Sequence, residues 1–118
     1  MAEFLGSSRR THYCTQISEK DIGKTVSVAG WAQRRRDLGS LIFIDLRDRS
    51  GIVQLAFDDS TDRAVFDKAF TVRSEYVLFA TGTVRERSSK NPNIPTGNIE
   101  IFVTELKILG LSETPPFD

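Results

Sequence analysis

A chain of 118 residues can hold one domain with a real core and is too short for two ordinary ones. Its 39% hydrophobic and 27% charged residues suit a globular protein, and no apolar run approaches the roughly 18 residues of a membrane span. Sixteen basic residues balance sixteen acidic ones, so any affinity for nucleic acid must come from how charge is distributed rather than from its sum.

Residues 25–31 read as a first strand, with Val26 and Val28 on one face. Asp37-Leu38-Gly39-Ser40 signals a turn. Residues 41–47 then alternate, placing Ile42, Ile44 and Leu46 inward. Asp48-Arg49-Ser50-Gly51 is a second turn, and residues 52–57 form a third strand that buries Val53, Leu55 and Phe57. The period then changes. Asp58, Asp59 and Ser60 are candidate N-caps, and Val65, Phe66, Ala69, Phe70 and Val72 mark an amphipathic helix ending near Ser74. Strand character returns over 76–85. A polar loop over 86–96 carries Pro92 and Pro95. The last strand covers 98–104 with Ile99, Ile101 and Val103 inward, and 106–111 extends it. Thr114-Pro115-Pro116-Phe117 looks like the start of a linker. The expected organisation is an N-terminal extension over 1–14, a folded domain over 15–110 and a linker from 111.

Three strands, one helix and two strands predict an all-β fold with one capping helix, closed as a five-stranded Greek-key OB-fold barrel. The face of its second and third strands serves oligonucleotides or oligosaccharides.

Phe43 carries the most information. It shares the outward face with Asp45 and Arg47, where a half-buried strand normally stays polar. Either it covers the barrel end or it stacks on a base, which is worth about 1–3 kcal/mol. Gln54 faces outward on the next strand, and its amide can read the edge of an unstacked base. Arg34, Arg35 and Arg36 follow the first strand and suit phosphates or carbonyl edges, unless they are only a solvated run. Glu100 alternates outward and can accept hydrogen bonds from guanine, or simply serve solubility.

Catalytic signals are missing. Cys14 is the single cysteine and His12 the single histidine, so neither a disulfide nor a zinc set can be assembled. There is no nucleophile triad and no glycine-rich phosphate loop. The first ten residues contain no leader-type hydrophobic core, so a cytoplasmic protein is expected.

The run over 30–54, Gly-Trp-Ala-Gln-Arg-Arg-Arg-Asp-Leu-Gly-Ser-Leu-Ile-Phe-Ile-Asp-Leu-Arg-Asp-Arg-Ser-Gly-Ile-Val-Gln, resembles the anticodon-binding domain of bacterial aspartyl-tRNA synthetases. Supporting matches are Arg10-Thr11-His12-Tyr13-Cys14, Thr81-Gly82-Thr83-Val84-Arg85 and Thr96-Gly97-Asn98-Ile99-Glu100. The resemblance implies that Phe43 stacks on the central uridine of the anticodon while Gln54 and Arg36 hydrogen-bond it. It implies that Glu100 recognises the first base, a guanine, and that Arg87 and Asn91 reach the third. Arg34, Arg35 and Arg47 would support the RNA backbone. The implied partner is tRNA-Asp, with neither DNA nor membrane. The family's full-length enzyme is a homodimer using ATP and magnesium in a separate class II catalytic domain, so the present stretch should bind RNA without catalysing anything and needs no cofactor itself. Members that also charge tRNA-Asn often carry His-Gly where this chain has Leu38-Gly39, so Leu38 leans toward the tRNA-Asp-specific kind. A stand-alone single-strand-binding OB domain and a protein-interaction OB domain are the other readings.

Overall fold

A computed structural model of the chain describes Gly6 and residues 8–110. The linker expected from residue 111 lies outside the described residues. Two 3-10 turns, Cys14–Gln16 and Glu19–Asp21, precede β1 (Thr25–Asp37), β2 (Ile42–Asp48), β3 (Gly51–Phe57), the helix α1 (Arg63–Phe70), β4 (Val77–Glu86) and β5 (Ile99–Gly110). The strands close into a barrel in the order β1-β2-β3-β5-β4, and β4 returns to pair with β1. All pairs are antiparallel except β3 with β5, which meet in parallel at Leu55–Ile101 and Ala56–Phe102. This is the five-stranded OB-fold barrel expected from the strand order.

The period-two pattern becomes the core. Ile42, Ile44 and Leu46, then Val53, Leu55 and Phe57, then Ile101 and Val103 are fully buried. At one end of the barrel α1 packs Ala69, Val65 and Phe66 against this cluster, and Lys68 Nζ donates to the Leu106 carbonyl of β5 at 3.0 Å. The segment ahead of β1 is tied down as well. Cys14 is fully buried, and its amide donates to Asp48 Oδ2 at 2.8 Å, so the folded core reaches back to residue 14.

Three local expectations are corrected. The helix is shorter than the periodic run suggested, because it begins after Asp62, whose Oδ2 accepts from Ala64 N at 3.1 Å, and ends at Phe70 rather than near Ser74. Asp58, Asp59 and Ser60 do not cap it. Asp58 Oδ1 instead accepts from the Ser60 amide and hydroxyl at 2.8 and 2.7 Å, which closes a separate turn. Finally, β1 does not stop at Trp31 but runs on to Asp37, so the three arginines stand within the strand.

That extension contains a β-bulge. Ala32 pairs with Leu46 and Arg34 with Asp45, leaving Gln33 as the extra residue. Before it, Val26, Val28 and Ala32 share the buried face. One added residue inverts the alternation, so Arg34 and Arg36 turn outward beside Asp45 and Phe43 instead of into the core. Beyond the strand, Leu38 N donates to Leu41 O at 2.8 Å across a tight turn in which Gly39 adopts a φ of 85°. Leu38 stands 62% exposed at its tip.

Candidate nucleic-acid interface

The register of three strand pairs assembles one site on the outer barrel wall. Arg36 faces Phe43 across β1–β2, Asp45 faces Gln54 across β2–β3, and Arg85 faces Glu100 across β4–β5. Of these residues all but Asp45 line a cavity of about 480 Å³, together with Asp58, Glu86 and Arg87.

Within it runs a continuous polar chain. Asp45 Oδ1 lies 3.3 Å from Arg36 Nη2, which also donates to Gln54 Oε1 at 2.7 Å. Gln54 Nε2 donates to Glu100 Oε1 at 2.8 Å. Arg85 Nε donates to Glu100 Oε2 at 2.7 Å, and Arg85 Nη2 reaches Asp58 Oδ2 at 3.3 Å. An arginine can only donate and a carboxylate only accept, so the orientation of the Gln54 amide between them is fixed.

Gln54 and Glu100 are each only 4% exposed. Their expected outward parity is right, but their expected solvent exposure is not. The two positions fall where β3 and β5 meet and where arginines from β1 and β4 fold over them, so the polar partners themselves exclude water. Burying a carboxylate costs several kcal/mol unless a cation and further hydrogen bonds satisfy it. Glu100 has both.

Aromatic faces sit at the two ends of this chain. The Arg36 guanidinium lies 5.4 Å from the Phe43 ring centroid and that of Arg85 lies 4.8 Å from the Phe102 ring. Phe43 is half-buried rather than sealed. Arg36 Nε is buried and makes no hydrogen bond, leaving one donor of this group unmatched beside the cavity.

Arg87 is buried too, and its Nε donates to the Ser89 carbonyl at 2.9 Å. Burial lowers its pKa, Glu100 opposes that shift, and the neighbouring Arg36 adds to it. The guanidinium stays protonated at neutral pH, which concentrates positive charge at the loop side of the cavity. Asp58 shows the opposite balance. Burial pushes its pKa up, but hydrogen bonds from Ser60 and the charge of Arg85 bring it below the usual carboxylate value.

Not every residue singled out in the sequence joins this site. Arg35 turns to the barrel end, where it pairs with Asp37 at 3.6 Å and lies 5.5 Å from the Phe70 ring. Arg34 is exposed beside Asp45. Arg47 faces outward two rows further along β2, donating to Gln33 Oε1. Asn91 is inside the 86–98 loop, where its Oδ1 accepts from Asn93 N at 3.0 Å. Arg85 was missed as a site residue. Its outward alternation from Val84, opposite Glu100 in a β4–β5 hairpin, was the available signal.

A larger cavity of about 660 Å³ lies between Gly39-Ser40 and α1. Its walls include Asp58, Asp59 and Asp67, with Arg63. The smaller cavity also borders Asp58, Glu86 and Glu100, but it gathers Arg36, Arg85 and Arg87 with Gln54 and Phe43. It is the better interface because the groups able to read a base converge there.

The chain belongs to the OB-fold nucleic acid binding domain family, whose model matches residues 26–109. The chain is 55% identical over 119 residues to an aspartate–tRNA(Asp/Asn) ligase of Caldanaerobacter subterraneus subsp. tengcongensis, covering 99% of this chain and 20% of that protein. It is 54% identical to an aspartate–tRNA ligase of Ruminiclostridium cellulolyticum, covering 98% of this chain and again 20% of the relative. The chain thus spans about a fifth of the length of the curated relatives it matches. Among solved structures it is similar to asparaginyl-tRNA synthetase from Pyrococcus horikoshii complexed with asparaginyl-adenylate, with a TM-score of 0.75, 25% identity and coverage of 94% of this chain and 24% of that one.

Proposed function

We propose that the chain is the anticodon-recognition module of an aspartate–tRNA ligase, reading the anticodon of tRNA-Asp. The observation that carries this reading is the chain of hydrogen bonds from Arg36 through Gln54 to Glu100, lying beside the half-buried ring of Phe43. Such a wall offers a stacking surface, an amide with both donor and acceptor, and a carboxylate held as an acceptor. In this reading Phe43 stacks on the central uridine, while Arg36 and Gln54 bond its edge. Glu100 accepts from N1 and N2 of the first-position guanine. Arg87 approaches the third base from the loop side, with Asn91 in the same loop, and Arg34 and Arg47 support the backbone. Arg35 is the poorest fit, being directed to Asp37 and Phe70.

The whole enzyme in this reading is a cytoplasmic homodimer in which ATP and magnesium serve a class II catalytic domain outside this stretch. The two relatives of nearly equal identity carry different names, one for tRNA(Asp/Asn) and one for aspartate–tRNA ligase, so the preference for tRNA-Asp alone rests on Leu38.

RNA hairpins differing only in the central loop base test the reading. Binding that falls about tenfold or more when uridine is replaced, measured at about 0.15 M salt, is the expected result. Equal affinity for every central base would replace it with a generic single-strand binder.

A further inference from the structure

We infer that the outer face of β1 and β2 carries on from the base-binding cavity as a track for the RNA sugar-phosphate backbone, ending at a stack formed by Arg10, Tyr13 and Arg49. The inference rests on the RNA-binding reading above and extends it to a site at the far end of the same face.

Cross-strand register sets the track. Arg36 faces Phe43, Arg34 faces Asp45 and Trp31 faces Arg47, and directly paired residues lie on the same face of a sheet. From Phe43 to Arg47 the face extends about 13 Å at the usual strand rise. Where β2 ends, the N-terminal segment is bonded to the backbone of β1 at Ser27 and to the β2–β3 turn at Asp48. Thr11 N donates to Ser27 O at 2.8 Å, Ser27 N returns to Thr11 Oγ1 at 2.9 Å, and Cys14 N is held by Asp48 at 2.8 Å. These bonds fix Tyr13 beside the β2–β3 turn. There the Arg10 and Arg49 guanidiniums lie 4.1 and 4.5 Å from its ring centroid, and Arg10 also donates to its hydroxyl.

Charge pairing is uneven among the cations. Arg36, Arg63, Arg85 and Lys90 each lie within 3.3 Å of a carboxylate oxygen. Arg10, Arg34, Arg47 and Arg49 have no ion pair among the described residues. Arg34 and Arg47 along β1–β2, and Arg10 and Arg49 at its end, are thus arginines without carboxylate ion pairs, interleaved with Trp31 and Tyr13 and with Asp45 opposite Arg34. Stacking on Tyr13 holds two guanidiniums in place before any ligand arrives, so less side-chain freedom is lost on binding. Fixed guanidiniums without carboxylate partners suit phosphate.

Titrating the 118-residue chain with an RNA hairpin presenting G-U-C in its loop, and with the free trinucleotide, tests the track. In the Arg10→Gln/Arg49→Gln chain, the slope of log affinity against log salt for the hairpin should fall by about 1 per lost phosphate contact, and affinity at 0.15 M should fall about fivefold per contact. Preference for a central uridine and affinity for the trinucleotide should not change. An unchanged hairpin slope, or an equal loss with the trinucleotide, overturns the inference. A readout on the unsubstituted chain guards against misfolding of the variant. The amide resonances of Tyr13 and Arg49 should shift with the hairpin and not with the trinucleotide, and their standing still while Phe43 shifts overturns the track alone. If the unsubstituted chain binds neither RNA, the recognition reading has failed and the track with it. If polyglutamate displaces the hairpin from the stack at equal charge concentration, the face belongs to an acidic protein partner instead.

Discussion

Arg85 and Glu100 stand directly opposite each other across the β4–β5 ladder, and the arginine Nε donates to Glu100 Oε2 at 2.7 Å. The pair is asymmetric, with the Glu100 side chain 6% exposed and that of Arg85 38% exposed. Arg85 thereby gives the buried acceptor in the cavity wall a cationic partner, and its bond to Asp58 and its place over Phe102 keep it aimed there. In the proposed reading it is a positioning residue for the base that Glu100 reads.

Replacing Arg85 with alanine should cost about 1–2 kcal/mol in urea unfolding, less than the 3–5 kcal/mol for a fully buried pair, because the arginine is partly solvated. The stronger effect should be on discrimination. Preference for guanine over inosine at the first loop base, which differ by the N2 amino donor, should shrink in R85A and return in part in R85K. A uniform loss for both bases would reduce Arg85 to a structural part.

Phe43 is half-buried at the cavity rim while its strand neighbours Ile42 and Ile44 fill the core. Truncation should therefore leave the barrel folded and remove a stacking surface. Phe43→Ala is expected to lose about 1–3 kcal/mol of hairpin affinity with a melting temperature close to the parent. Tight binding retained by F43A in a fluorescence titration at fixed salt would rule out stacking.

The barrel was legible in the sequence because alternation survives in Ile42-Ile44-Leu46 and Val53-Leu55-Phe57, and each run is bounded by turn residues. The bulge at Gln33 was not legible. No glycine or proline marks it, yet it decides that Arg34 and Arg36 point outward. The helix start was misplaced for a related reason: Asp58, Asp59 and Ser60 are all good caps in isolation, and only the Asp58–Ser60 turn leaves the cap to Asp62. Phe43, Gln54 and Glu100 could be picked out by parity. Their mutual hydrogen bonds could not, since Gln54 and Glu100 are 46 positions apart and meet only where parallel β3 and β5 join. Arg85 was overlooked because its meaning depends on a partner across the 86–98 loop.

That loop closes on Gly97. The Asn91 amide donates to the Gly97 carbonyl at 2.9 Å, and a Cβ on Gly97 would fall 1.6 Å from the Asn91 carbonyl oxygen. No side-chain rotation relieves a clash with backbone, so Gly97→Ala must open the loop while the five strands keep their ladders. The expected result is a weakened response to the third loop base, carried by Arg87 and Asn91, with far-ultraviolet circular dichroism unchanged. An RNA titration in which third-base preference survives G97A would separate this loop from recognition.

Cys14 and Asp48 couple the N-terminal segment to the β2–β3 turn and give stability a predictable pH dependence. Asp48 Oδ2 accepts from Cys14 N at 2.8 Å, and Oδ1 accepts from the Ser50 amide and hydroxyl at 2.8 and 2.6 Å. Burial raises the Asp48 pKa, but the Ser50 and Cys14 hydrogen bonds outweigh it and leave it below the usual value. A depressed carboxylate binds fewer protons folded than unfolded, so its contribution is complete above the unfolded value of about 3.9 and is lost as pH falls through the folded one. Cys14 is shifted the other way, upward, by burial first and by the Asp48 charge second. Its contribution is present below the unfolded thiol value of about 8.5 and fades as pH rises beyond it. Urea midpoints should fall off both below about pH 4 and above about pH 8.5. Asp48→Asn should lower the midpoint at pH 7 and flatten the acid limb, and Cys14→Ser should flatten the alkaline limb. The same burial should shield Cys14 from a disulfide reagent at pH 8 until urea unfolds the chain; fast reaction of the native protein would show that the segment does not stay docked on the turn.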